Sequence, residues 1–166
     1  MWQSQSKSNK RSAFTLLELM VVVLILAIAA AVAIPYAVST SDLQVISAAR
    51  MLAADLQYAQ NTAITSQTPI TVSFNVNAES YTLSNASGAL IHPITKEAYV
   101  VNFALQKGFD KLDISSVSFG GSANVAFDEL GSPDNAGSVT LQAGPHVYRV
   151  DVAAATGRVT VTALGS

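Results

Sequence analysis

Two histidines, a cluster of three carboxylates and one acid inside an apolar run are the residues of this 166-residue chain whose types and spacing invite chemistry. His92 and His146 stand 54 residues apart, one in a proline-containing loop and one opening a β-rich run, without the HxxxH spacing of a metal site. Asp128, Glu129 and Asp134 in "DELGSPD" bring oxygen ligands into one loop, which is calcium chemistry, but EF-hand spacing is absent and Gly131 and Pro133 make them turn acids. Serines, threonines and tyrosines are plentiful, yet no G-x-S-x-G elbow or other triad context surrounds them. There is no cysteine, hence no thiolate ligand and no disulfide framework. No catalytic residue, cofactor or metal ligand is assigned, and the chain is not read as an enzyme. Glu18 is different. It sits at the edge of "KRSAFTLLELMVVVLILAIAAAVAIPY", residues 10–36, where a carboxylate costs on the order of 2.5–3.5 kcal/mol at mid-membrane and less near the interface.

The element that must position Glu18 is the apolar run. Phe14 to Ile34 would rise roughly 31 Å as a helix, close to the hydrocarbon thickness of a bilayer. Lys7, Lys10 and Arg11 are the only basic residues before Arg50, so positive charge lies on one side of the run and predicts a cytoplasmic N-terminus. A secretory signal peptide fits poorly, because its apolar core is about 7–15 residues long. A plain signal anchor fits everything except Glu18. If a protease cuts between Ala13 and Phe14, the basic leader leaves and a new ammonium appears at Phe14, four residues before the acid. An amine and an acid one turn apart can pair between parallel helices staggered by about one turn. The costly charge then becomes an assembly contact.

"AFTLLELMVVVLILAIAAAVAIP" resembles the class III signal of type IV pilins and type II secretion pseudopilins: a short basic leader, FTLLE, and an apolar helix. With Phe14 as the first mature residue, Glu18 is fifth and Pro35 twenty-second, as in that pattern. The resemblance implies cleavage between Ala13 and Phe14 by a prepilin peptidase, N-methylation of Phe14, and a role for Glu18 in guiding subunits into a filament. Ala13 stands where glycine is usual.

Four segments follow: a cleaved leader over 1–13, a transmembrane helix over 14–35, an amphipathic helix over 36–67 and a β-rich domain over 68–166. Pro35 removes a backbone donor and predicts a kink near residues 31–35 without ending the helix. The spacing of Leu43, Ile46, Ala49, Leu52, Ala53, Leu56, Ala59 and Ile64 predicts an amphipathic helix whose apolar face covers a sheet. "STSD", residues 39–42, reads equally as a cap, a loop or continuing helix. After Gln67 the period becomes two. Strands are predicted at 70–76, 80–84, 99–104, 112–119, 125–127, 138–142, 146–152 and 158–162, with loops at 85–98 and 120–124. Gly131, Gly137 and Gly157 read as turn positions where positive φ is permitted. The fold class is α+β, a long N-terminal helix packed on an antiparallel β-sandwich or curved sheet.

"LAADLQYAQNTAITSQTPITVSF", with "FDELGSPDNAGSVTL" and "YRVDVAAATGRV" near the end, is similar to H-type minor pseudopilins and the related FimT-type minor pilins. Many members have arginine where Gln60 stands. This resemblance implies a subunit near the tip of a periplasmic type II secretion pseudopilus, helping filament initiation and protein secretion. Implied partners are other major and minor pseudopilins, the prepilin peptidase, the inner-membrane secretion platform, membrane lipid and secreted protein cargo. The alternative is a FimT-like minor pilin that binds DNA for uptake. That needs clustered Lys and Arg. Beyond the leader, Arg50, Lys96, Lys107, Lys111, Arg149 and Arg158 are spread among eleven acids, a balance of −5, so nucleic acid is the disfavoured partner.

Overall fold

The computed structural model describes residues 15–165, with residues 32–40 given by their backbone alone. Among the described residues one α-helix, α1 (Leu16–Ser66), is followed by nine strands: β1 (Ile70–Asn75), β2 (Ser80–Asn85), β3 (Gly88–Ala89), β4 (Val100–Asn102), β5 (Leu112–Phe119), β6 (Asn124–Phe127), β7 (Gly137–Ala143), β8 (His146–Val152) and β9 (Val159–Gly165). The chain divides into two bodies between Val38 and Ser39. The first contains the apolar start of α1; the second contains the rest of α1 and every strand.

Helical backbone runs through Pro35 and through the ambiguous "STSD" segment. In the second body α1 buries Val45, Ala48, Ala49, Leu52, Leu56, Ala59 and Ala63. The predicted face is thus corrected at its two ends: Leu43 is 63% and Ile64 40% exposed, while Val45, Ala48 and Ala63 lie inside. Four of these seven apolar residues are alanines. Small side chains let the helix axis approach the sheets, and that close approach selects the stripe.

The strands form two antiparallel sheets. One has the order β3-β2-β1-β6 with β4 also paired to β2, and the other runs β5-β7-β8-β9. Alternate residues point inward, as the two-residue period requires: Ile70, Val72 and Phe74 on β1, Val139, Leu141 and Ala143 on β7. Side chains from both sheets and the helix make one buried cluster, with Phe74 stacked on Phe119 at 5.9 Å where the sheets meet.

Most predicted strands are present within one or two residues. The 99–104 prediction is the main correction. Its strand spans only Val100–Asn102, because Phe103 turns into the core in a short 3-10 helix with its N–H donating to the Glu79 carbonyl. The predicted loop 85–98 contains β3 and a bridge between Ile91 and Ala98, both too short to show a period. Gly131 and Gly157 have positive φ, 81° and 60°, as expected. Gly137 does not. It begins β7, where a Cβ would lie 2.1 Å from the Ser118 carbonyl oxygen, so close approach rather than turn geometry requires glycine.

Candidate assembly site

Thr15 precedes the first turn of α1, and its carbonyl accepts the Leu19 N–H at 3.2 Å. Its hydroxyl oxygen accepts the Glu18 N–H, also at 3.2 Å. Thr15 is therefore the N-cap, and T-x-x-E is a capping-box sequence with Glu18 at the third helical position. A carboxylate there also faces the positive end of the helix dipole. The site places an acid at the first turn of a helix whose side chains from Leu16 to Ala31 are all exposed. Leu16, Leu19, Met20, Val23, Leu24 and Ala27 line one shallow apolar furrow on it, at the three- and four-residue spacing by which helices pack. Ala13 and Phe14 lie outside the described residues, and Pro35 is described only as helical backbone. The apolar side chains described from Leu16 to Ala31 extend about 24 Å at ~1.5 Å per residue. Among the described residues no helix is long and apolar enough to cross a membrane.

In the second body four polar side chains tie α1 to the sheets. Asp42 accepts the Tyr148 hydroxyl at 3.3 Å and lies 3.7 Å from His146. Gln44 donates to Asp110 at 3.1 Å. Asp55 accepts two hydroxyls, Tyr81 at 2.6 Å and Tyr99 at 3.0 Å. Burial, and then the neighbouring Asp55 carboxylate, push both phenols above the usual tyrosine range. Gln60 Nε2 donates to the Gly131 and Thr156 carbonyls, at 2.7 and 2.9 Å, and so holds the β6–β7 and β8–β9 loops on the helix. Those glycines leave the room for it: a Cβ at Gly157 would come within 2.4 Å of Gln60 Nε2. Glu79 accepts the Ile114 N–H, and desolvation outweighs that bond to raise its pKa.

The candidate ligand residues are built into turns. Asp128 Oδ1 accepts the Leu130 and Ser132 N–H groups, and Asp134 Oδ1 accepts those of Ala126 and Asn135. These carboxylates therefore shape the loop instead of converging on a common point. Among the described residues no group of three His, Asp or Glu side chains is arranged to hold a metal. His92 Nδ1 accepts the Ile94 and Thr95 N–H groups, and its ring packs on Tyr99 with centroids 4.5 Å apart. His146 opens β8 beside Asp42. The two histidines serve different elements.

Sequence reasoning missed the Thr15 cap, although T-x-x-E before an apolar run signals it. It also missed the Asp55 and Gln60 contacts, whose partners lie 26 to 96 residues away and leave no local pattern.

A family model for type II transport protein GspH matches residues 48–157, and one for the prokaryotic N-terminal methylation motif matches residues 8–34. The chain belongs to the GspH family. Its fold is pilin-like, and the family match agrees with the sequence resemblance to H-type pseudopilins. Two solved structures show the same fold. The minor pseudopilin EpsH from the type 2 secretion system of Vibrio cholerae is similar with a TM-score of 0.57 and 17% identity, covering 74% of this chain and 99% of that one. The type IV minor pilin FimU of Pseudomonas aeruginosa (strain PAO1) is similar with a TM-score of 0.53 and 17% identity, covering 74% of this chain and 91% of that one. No curated protein matches the sequence. In this GspH-family chain the methylation motif takes in Ala13, Phe14 and Glu18, and the GspH match takes in strands β1 to β8 and the Gln60 clamp.

Proposed function

We propose that the chain is made as a membrane-held precursor, cut between Ala13 and Phe14, methylated at Phe14 and inserted into a periplasmic pseudopilus near its tip. The helix of residues 14–35 spans the inner membrane with its basic leader in the cytoplasm, loosens at Pro35, and carries the β domain on the periplasmic side. There the domain meets other pseudopilins and secreted protein, helping filament initiation and secretion as a structural part rather than a catalyst. The prepilin peptidase and the inner-membrane secretion platform act on it before and during assembly.

One observation carries this reading: Glu18 sits in the capped first turn of a helix with an exposed apolar surface, inside a matched N-terminal methylation motif. A carboxylate in that place needs a partner, and the amine of a neighbouring Phe14 supplies one. The reading does not extend to DNA, since Arg149 is paired with Asp151 at 2.8 Å and Lys107 and Lys111 alternate with Asp110 and Asp113.

N-terminal sequencing and intact mass of the chain from cells containing the peptidase test it. The expected product begins at methylated Phe14. A chain that still begins at Met1, or one cut after residue 30, overturns the proposal.

A further inference from the structure

The edge of a sheet carries unpaired N–H and C=O groups that accept another strand, and folded proteins blunt such edges. Three of the edges here are blunted. On the first sheet β3 and β4 are two and three residues long, and β6 is closed by Asp134, whose Oδ1 accepts the Ala126 N–H at 3.0 Å and whose N–H donates to the Ala126 carbonyl at 2.8 Å. On the second sheet β5 breaks register between Ile114 and Ser116, and the Glu79 carboxylate takes the Ile114 N–H. The fourth edge, β9, is different. It is seven residues long, "VTVTALG", rich in β-branched side chains and without charge or proline. Its pairing with β8 is regular from Val159 to Ala163, and among the described residues no loop backbone bonds to its other side.

The two faces of β9 state what an added strand must bring. On the inner face Val159 and Val161 lie opposite Val152 and Val150, both buried, yet Val161 is 37% exposed. The core runs out sideways there. Toward Gly165 the same face opens on a cavity of about 470 Å³ lined by Asp42, His146, Tyr148 and Ala163. Asp42 uses Oδ1 for both the Tyr148 hydroxyl and His146, and its side chain stays 45% exposed, so Oδ2 is left for a further donor. On the outer face Thr160 and Thr162 stand beside Asp151 and Arg149, whose charges are spent on each other at 2.8 Å. That face suits uncharged polar side chains.

We propose that β9 receives an extended segment of a partner protein as a further antiparallel strand, with apolar side chains beside Val159 and Val161, a Lys or Arg at the Asp42 end, and polar side chains beside Thr160 and Thr162. Every pairing already in this sheet is antiparallel, and an edge strand turns the N–H and C=O groups of alternate residues outward. Main-chain bonds then supply affinity, while the alternation of apolar and polar faces and the base at Asp42 supply specificity. The β9 of a second copy does not match. Its neighbouring charge, Arg158, falls by strand alternation on the Thr160 face, away from Asp42. The contact needs only the fold of the second body and stands apart from the filament reading.

The probe is a fluorescent peptide, Gly-Lys-Thr-Val-Thr-Val-Gly with blocked ends, titrated into the full chain in detergent micelles and followed by anisotropy and hydrogen exchange. Saturable binding is expected, with exchange slowed at alternate β9 amides. Glu in place of the peptide's Lys, or Asp42→Asn in the chain, should weaken binding about fivefold through loss of one charge contact. Asp42→Asn should not affect a peptide with Thr in place of Lys. Of Thr160→Pro and Val161→Pro, one removes an outward N–H and the other an N–H paired to β8. The outward change is expected to abolish binding and leave the melting temperature nearly unaltered. The proposal is overturned by absence of binding, by equal binding of the Glu peptide, or by binding that survives both proline changes. Slowed exchange away from β9, or a dimer of two copies through β9 in place of the peptide complex, overturns it as well.

Discussion

Glu18 has two jobs that a single substitution to alanine would confound. It completes the Thr15 capping sequence, and it supplies the charge proposed to meet a neighbour's amine. Glutamine separates them, since it is accepted in a capping box but carries no charge. Glu18→Gln is expected to insert into membranes at least as well as the parent, because a costly charge is removed, yet to enter filaments several-fold less. Thr15→Ala should show the converse, a frayed first turn worth about 0.5–2 kcal/mol with charge pairing retained. Membrane fractionation and filament incorporation, measured on the same cells, check both. Normal incorporation of Glu18→Gln would show that capping, not charge, is what assembly requires.

At the scale of elements, the domain depends on the contact between the second half of α1 and the sheets. Leu56 is fully buried there. Leu56→Asp would place a carboxylate in that interface without a partner and should cost several kcal/mol, read as a large fall in melting temperature. A melting temperature within error of the parent would refute the packed-helix architecture. The Asp55 bridge gives the same contact a pH signature. Tyr81 and Tyr99 have folded pKa values above the ordinary 10, so folded and unfolded chains hold the same phenolic protons below that pH. Above pH 10 the unfolded chain loses them first. Stability contributed by these phenols is thus present below pH 10 and falls as pH rises, since the unfolded state binds fewer protons. Tyr99→Phe is expected to make the alkaline fall shallower, measured by denaturant titration followed through tyrosinate absorbance; an unchanged slope would mean that Tyr99 ionises as it does in the unfolded chain.

For the whole molecule, the division between Val38 and Ser39 predicts that a fragment beginning at Ser39 folds without the apolar run. Among the described residues its buried cluster contains residues of α1 from Val45 onward and of both sheets. Circular dichroism should show mainly β structure with one helix, and unfolding should be a single cooperative transition. Aggregation with no cooperative transition would mean that the first half of α1 contributes to the domain's stability. A fragment starting at Val45 should be weaker, because it loses the Asp42 and Gln44 ties to Tyr148 and Asp110.

Periodicity and local chemistry made much of this protein legible before any fold was known. The 3.6-residue stripe and the two-residue alternation depend on neighbours in the chain, and they located the helix and most strands. The edges of the helix stripe were not legible, because Leu43 and Ile64 continue the spacing and only the outline of the sheets leaves them exposed. Gly137 carries no mark that distinguishes a turn from a close strand approach; the Ser118 carbonyl beside it decides. Gln60 looked like a loss of arginine until the fold brought the Gly131 and Thr156 carbonyls, 71 and 96 residues distant, to its amide. Contacts of that kind arise from closing long loops around a common core, so their partners are set by three-dimensional packing and leave no periodic trace along the chain.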